Sequence, residues 1–481
     1  MIDLRVHAFG DDALGEHDAV ALAQLVGRGE LSPREVAEAA IARALRVEPR
    51  LHAIAVDTFD SPHFAAGRGG GLYGVPTFVK DNTDIAGLPT GHGSEAFRAR
   101  PAARDGAYAR QYLSTGMTLL GKSRLPEFGF SASSEFMTVQ PVHNPWHTEF
   151  TVGASSGGAA ELVAAGVVPV AHANDGGGSI RIPAACAGLV GLKPSRHRHV
   201  DGEQVRHLPV HTISEGVLTR TVRDTAAFLA AAEDYWRNPK LAPIGMVHGP
   251  AQRRLRIGLV METVTGAVVD AQTKAAVERT AALLEKAGHI IEPISAPVDA
   301  RFAEDFLQYW ALLAELAARF GRLAFDRSFD TSRLDGLTIG LRRHLQRNLA
   351  RTPGALHRLR HTRHAYAQMF ARHELVLSPV VAHVTPRLGH LSPRVPYDEL
   401  MNRLTQWVAF TPLNNIAGTP ALSLPAALAA EGVPIGVQLS AAYGDERTLL
   451  EVAFALEQEQ PFPRIQATAD LEAGPNPATV S

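Results

Sequence analysis

Short apolar runs alternate along this 481-residue chain with longer stretches of helical periodicity, and that alternation restricts the fold more than any other feature. Gly74-Val75-Pro76-Thr77-Phe78-Val79-Lys80-Asp81 has an apolar core that closes on a charged pair, which predicts a short strand with Lys80 at its end. Residues 118–121, 167–173 and 256–261 have the same strand character. Asp18 stands before the apolar-periodic run 19–26, and Ser32-Pro33-Arg34-Glu35 is a capping box with proline at the first helical position, so two helices are expected near the start. Further helices are expected at 271–287 and 448–457. Strands alternating with helices predict an α/β fold, a sheet covered by helices on both faces. No linker interrupts the pattern, so a single domain over 1–481 is expected, although the length alone would allow two or three. Residues 300–371 are rich in Leu, Ala, Arg and aromatics; they read as an all-helical accessory region able to cap a pocket.

Composition removes several classes of function. Lys and Arg total 47 against 49 for Asp and Glu, so the net charge of −2 supplies no basic field for a phosphate backbone and no nucleic-acid partner is expected. The first twenty residues carry Asp3, Asp11, Asp12, Glu16 and Asp18 without an apolar core, so no signal peptide is expected and the chain is read as cytoplasmic. The apolar stretch 162–171, bounded by Glu161 and His172, is about half of a membrane span and reads as buried core, with no membrane association. Cys186 is the single cysteine, which excludes an intrachain disulfide and any multi-cysteine metal site. No His-Glu-x-x-His pair occurs, and neither a metal nor a cofactor is expected.

Three short motifs compete for attention. Gly116-Met117-Thr118-Leu119-Leu120-Gly121-Lys122-Ser123 matches the phosphate-loop pattern, but its interior is an apolar strand and Pro126 follows where a helix should open. Gly69-Gly70-Gly71-Leu72-Tyr73-Gly74 has the dinucleotide spacing, yet it leads into a strand, so it reads as a loop. Gly153-Ala154-Ser155-Ser156-Gly157 fits a nucleophile elbow and would make Ser155 the nucleophile of a histidine-dependent esterase. The 21 histidines offer many bases, which makes a match to any one of them uninformative.

The decisive region joins that elbow-like motif to Asn174-Asp175-Gly176-Gly177-Gly178-Ser179-Ile180-Arg181-Ile182-Pro183, with Ser155 and Ser179 24 positions apart. Glycines let backbone N–H groups approach a ligand unobstructed, so Gly176, Gly177, Gly178 and Ser179 are the natural place for an oxyanion hole. Either stretch alone could be a turn. Their combination with a strand-end lysine makes that bland reading less adequate.

With these motifs in hand, the sequence closely resembles the amidase signature family. The agreement runs through Gly74-Val75-Pro76 and Val79-Lys80-Asp81, Leu120-Gly121-Lys122-Ser123, Pro126-Glu127-Phe128-Gly129 and Asn144-Pro145-Trp146 to the two serine motifs. It continues through Gly188-Leu189-Val190-Gly191-Leu192-Lys193-Pro194, Glu215-Gly216, Arg220-Thr221-Val222-Arg223-Asp224, Asn415-Ile416-Ala417-Gly418-Thr419-Pro420-Ala421 and Gly436-Val437-Gln438-Leu439. Residues 300–371 are the least family-like part. The resemblance implies a central mixed β-sheet, Ser179 as acylating nucleophile, Ser155 as a bridging serine in a cis peptide, and Lys80 as the base. A free lysine has a pKa of about 10.4, so burial or a nearby cation must lower it for work at neutral pH. Asp175 and Arg181 are expected to hold the nucleophile loop, Ser156 to support Ser155, and Phe128, Gly129 and Phe130 to line the acyl pocket. Cys186 reads as a small buried residue.

Two departures bear on substrate. Gly176 and Ile182 stand where amidotransferase subunits usually carry threonine and glutamine, so a stand-alone hydrolase is favoured. The glycine-rich version here is similar to the branch of 6-aminohexanoate cyclic-dimer hydrolases and related nylon-oligomer and urethane-cleaving amidases. The resemblance therefore implies a small-molecule substrate, an uncharged, largely apolar amide, linear or cyclic. Urethane or ester hydrolysis, an amidotransferase-type subunit and a non-catalytic binding subunit are the other readings; a homodimer is compatible with all of them.

Overall fold

The computed structural model describes residues 4–203, 205 and 208–466. The N-terminal helices form where the capping residues stand. Asp18 accepts from the Ala21 amide at 2.9 Å at the head of Ala19–Gly27. The Ser32 and Glu35 side chains cap each other's backbone at the head of Pro33–Leu51; such a cap contributes about 1 kcal/mol.

An eight-stranded sheet forms the centre. Its order is Ile290–Pro293, Arg256–Leu259, Leu375–Pro379, Pro434–Ala441, Ala421–Leu428, Val190–Lys193, Ser214–Thr219 and Val170–Asp175. The first three strands run parallel and the remaining pairings are antiparallel, so the sheet is mixed. Leu375–Pro379, Pro434–Ala441, Ser214–Thr219 and Val170–Asp175 are buried at every residue. Burial without alternation means that both faces are covered, and helices Arg181–Ala187, Val222–Tyr235, Ala271–Lys286 and Glu446–Glu459 lie against the sheet.

A second sheet of three strands carries the lysine. Pro76–Lys80 pairs in parallel with Thr118–Ser123, which pairs antiparallel with Ile54–Asp57. Its outer strand lies beside the edge of the large sheet: Thr77 Oγ1 donates to the Val170 carbonyl at 2.9 Å, and the Lys80 amide donates to His172 Nδ1 at 3.1 Å. The phosphate-loop lookalike is therefore strand, as its apolar interior requires.

The apolar stretch 162–171 divides into the end of helix Gly157–Ala164, a turn at Gly166 with φ of 81°, and the start of Val170–Asp175. The strand expected at 167–173 thus begins later, because a continuous apolar run does not reveal where a helix hands over to a strand. No helix among the described residues is long and apolar enough to cross a membrane.

Residues 300–371 form three helices, Arg301–Ala324, Gly336–Asn348 and Thr352–Met369. Arg358 pairs with Asp305 at 2.6 Å, and Gln308 Nε2 donates to Thr352 Oγ1 at 2.9 Å, locking the first helix to the third. Leu337, Leu341 and Leu345 pack with Ala311, Ala314 and Trp407. These contacts turn one stripe of the first helix, Phe302, Phe306, Trp310 and Leu313, toward the cavity described next.

Candidate active site

Alternation along Pro76–Lys80 and beyond sends Lys80 and Asp81 to opposite sides. Asp81 pairs with Lys122 at 2.8 Å and accepts from the Gly91 amide at 3.0 Å. Lys80 is wholly buried, and its Nζ lies 2.9 Å from Ser155 Oγ, 2.9 Å from Ser156 Oγ and 2.8 Å from Asn174 Oδ1. Burial without a carboxylate in contact lowers the Lys80 ammonium to a pKa of about 7, against the smaller raising pull of Glu215 and Asp175. Beneath it His172 accepts the Lys80 amide on Nδ1, so its proton resides on Nε2, which lies 2.9 Å from Glu215 Oε2. Burial holds the His172 pKa below its ordinary value. An amine neutral in about half the molecules at pH 7 and hydrogen-bonded to a serine is the arrangement a general base requires.

Ser155 follows a cis peptide bond to Ala154 and is 3% exposed. Two residues later helix Gly157–Ala164 begins, so the elbow-like sequence does lie at a loop-to-helix junction. Its hydroxyl, however, meets Lys80, and no histidine is among the described residues that line the cavity. Ser156 Oγ also reaches the Asn174 carbonyl at 3.3 Å, which places it as a brace between the two motifs.

The Ser179 loop is held from below. Asp175, the last residue of its strand, accepts from the amides of Gly178 at 2.7 Å and Ile180 at 3.2 Å, and from Arg181 Nε at 2.9 Å. Asn415 Nδ2 adds a bond of 2.8 Å. Arg181 is equally buried and continues to Gln438 Oε1 at 2.8 Å and Asn415 Oδ1 at 2.6 Å. Burial pushes the Asp175 carboxyl up, but the Arg181 guanidinium, with the Lys193 charge and the Asn415 bond, together hold it far below the usual carboxylate range.

One expected oxyanion donor is corrected here. Gly178 has its N–H directed at Asp175 and does not line the cavity, whereas Gly176, Gly177 and Ser179 do. Gly178 adopts φ of 135°, and a Cβ there would lie 2.4 Å from Thr411 Oγ1. That same hydroxyl donates to the Gly177 carbonyl at 2.6 Å, so the position is closed to any side chain and the loop's direction is set.

Ser155 and Ser179 open on one cavity of about 350 Å³. Phe128, Gly129 and Phe130 line it, with Gly129 so close to Ser155 that a Cβ would lie 3.0 Å from its Oγ. Phe128 stacks on Phe325 at the end of the cap's first helix, with ring centroids 5.1 Å apart. Phe302, Phe306, Trp310, Leu313, Met401, Leu404 and Phe410 are among the other wall residues. Glu262 and Glu304, both exposed, are the only charged side chains among the described lining residues.

Asn174, His172, Thr411 and the cap aromatics were not singled out from the sequence. A signal existed for the first two: His172 and Asn174 alternate with period two on a strand, so both face the lysine.

The family model described as Amidase matches residues 35–450. Over 465 residues the chain is 51% identical to AmiC of Mycobacterium leprae (strain TN), a protein named as an amidase, with 96% of this chain and 99% of that one covered. It is 31% identical over 474 residues to a 6-aminohexanoate-cyclic-dimer hydrolase of Pseudomonas sp. (strain NK87), covering 92% and 95%. Among solved structures, a 6-aminohexanoate cyclic dimer hydrolase complexed with substrate superposes with a TM-score of 0.84 at 30% identity, covering 95% of this chain and 99% of that one.

Proposed function

The chain belongs to the amidase family and cleaves amide carbon–nitrogen bonds, and from that premise we propose that its substrates are uncharged, largely apolar linear or cyclic amides, opened through an acyl-enzyme on Ser179. The observation that carries this reading is the buried Lys80 amine, 2.9 Å from Ser155 in the floor of a cavity whose described lining contains no Lys, Arg or His. A carboxylate brought into such a wall would lose its hydration without gaining a counter-ion, which costs several kcal/mol.

The proposed sequence of steps follows from the donors and acceptors present. Neutral Lys80 accepts the Ser155 proton while Ser155 accepts that of Ser179, whose Oγ attacks the carbonyl carbon. The N–H groups of Gly176, Gly177 and Ser179 are the donors left for the oxyanion, each worth about 3–4 kcal/mol in a dry site. As the tetrahedral adduct collapses, Ser155 gives its proton to the departing nitrogen and regains one from Lys80. Water, activated by the same relay, then frees the acyl group and restores Ser179.

The resemblance to 6-aminohexanoate-cyclic-dimer hydrolases supports a cyclic or linear oligoamide, and the cavity suits an aryl amide equally well. Urethanes and esters present the same carbonyl and form the second reading. Lys80→Ala, Ser155→Ala and Ser179→Ala, each checked for folding, should be compared with wild type on aryl amides, a cyclic amide dimer, a carbamate and an ester. Each is expected to lose amide cleavage by about 10³-fold or more, and only Ser179→Ala should also lose labelling by a serine-reactive phosphonate completely. Near-normal activity in Lys80→Ala would overturn the mechanism. A carbamate or ester outpacing every amide would overturn the substrate class.

A further inference from the structure

Away from the catalytic cavity, the loop that joins strands Val190–Lys193 and Ser214–Thr219 gathers three metal-ligating side chains that the reaction does not use. His197 Nδ1 lies 3.0 Å from one Asp201 carboxylate oxygen, and His211 Nε2 lies 3.0 Å from the other. All three ligand atoms fall within 4.8 Å of one another, and the two imidazole centroids are 4.5 Å apart. None of the three lines the cavity of Ser155 and Ser179.

We propose that His197, Asp201 and His211 form a binding site for one zinc-type divalent cation. Two imidazoles and a carboxylate are a ligand set that this ion favours, with metal–ligand distances of about 2.0–2.2 Å. In a tetrahedral complex of that size neighbouring ligand atoms stand about 3.4 Å apart; the two 3.0 Å contacts run to different Asp201 oxygens, and with one atom taken from each residue all three already lie within 4.8 Å, so the set has to close by at most about 1.4 Å. Each neutral imidazole binds through the ring nitrogen that now faces Asp201, its N–H residing on the other nitrogen, and water completes the fourth position. Access is open, because the His197 side chain is 46% exposed and that of Asp201 32%. The site ties the two ends of the loop together next to Thr212. The Thr212 carbonyl accepts from Asn415 Nδ2 at 3.1 Å, and the same amide holds Asp175 at 2.8 Å.

Titration of the full chain with Co²⁺, followed by visible absorption, and with Zn²⁺, followed by calorimetry, tests the site. Wild type is expected to take up one equivalent with a tetrahedral Co²⁺ spectrum. His197→Gln and His211→Gln should each weaken uptake about tenfold or more while amidase activity and circular dichroism remain those of wild type. His361→Gln is the control, since His357 and His361 also stack, with centroids 4.3 Å apart, on an exposed helix turn. Its spectrum should be unchanged. Absence of micromolar binding by wild type, unaltered binding by both loop variants, or transfer of the loss to His361→Gln would each overturn the proposal.

Discussion

The floor and the wall of the cavity are held by different forces. In the floor Lys80 with Ser155, Ser156 and Asn174, and beside them Asp175 with Arg181, are buried and held by directional bonds of 2.8 to 2.9 Å. In the wall Phe306, Trp310 and Leu313 present apolar surface to the cavity from a helix gripped on its other face through Asp305, Gln308 and packing. A hydrogen-bonded floor has one geometry, and removing any member strands another polar group in a dry site. An apolar wall is non-directional and tolerates exchange of shape, so it selects substrates by fit. The contrast assigns chemistry to the floor and selectivity to the wall, and substitutions on each side should behave accordingly.

The sharpest separation comes from Lys80→Met. Activity is expected to fall by about 10³-fold or more, yet the protein should become more stable at or below pH 7, because removing a buried charge outweighs the partner lost by Ser155, Ser156 and Asn174. Lys80 has a folded pKa of about 7 against an ordinary value of 10.5. Below pH 7 both states carry the proton and the folded state bears the full cost of a buried charge, on the order of a few kcal/mol. As pH rises from 7 toward 10.5 the unfolded chain alone retains the proton, so stability increases and the cost fades. The Met variant should therefore exceed wild type in denaturant midpoint most clearly at or below pH 7 and lose that advantage by about pH 10. In wild type the same group predicts kcat/KM that climbs through an apparent pKa of about 7, a limb that should vanish from the residual rate of Lys80→Met.

Arg181→Met should have the opposite signature. It leaves the Asp175 carboxylate buried beside amides and Asn415 without its guanidinium. Loss of one partner from a buried pair costs about 3–5 kcal/mol, measurable as a lower urea midpoint. A midpoint within experimental error of wild type would show that the Ser179 loop does not depend on this pair.

The same contrast explains what could be read before the structure. Lys80, Ser155 and Ser179 were singled out because the two serines stand among glycines and the lysine closes a strand, and the structure brings Lys80 against Ser155 while Ser155 and Ser179 share one cavity. The capped helices and the lysine strand were legible because their signals are local. Gly178 was misassigned as an oxyanion donor because the direction of an N–H depends on φ, here 135°, which residue type permits but does not specify. The wall was not legible in detail. Residues 301–324 carry apolar groups on more than one face, and Phe320 and Leu323 are 49% and 87% exposed while Phe302 and Tyr309 are buried. Periodicity identifies a helix, but which stripe meets the cavity is decided by Asp305, Gln308 and the helices they grip.

Trp310→Ala tests the wall directly. Removing an indole from a fitting apolar pocket should lower kcat/KM about tenfold for aryl amides, within the 1–3 kcal/mol range for such contacts. The loss should appear in KM, because the floor is untouched and kcat for a small aliphatic amide should stay within about twofold. An equal fall in kcat for both substrates would mean that the wall also positions the reacting atoms, and the division between floor and wall would fail.

The smallest effect belongs to the rim, where Glu262 and Glu304 face solvent beside the apolar opening. For a neutral amide, Glu304→Gln combined with Glu262→Gln should change kcat/KM by less than about twofold, since exposed charges act weakly on uncharged ligands. An amide bearing a remote ammonium is the informative comparison. Wild type should prefer it over its neutral isostere by a few-fold at low ionic strength, and the double variant should not. The preference should also disappear in about 1 M salt, where the screening length is near 3 Å. Should it persist in high salt or in the double variant, the cation would be reading the floor rather than the rim, and the uncharged substrate class would have to be widened.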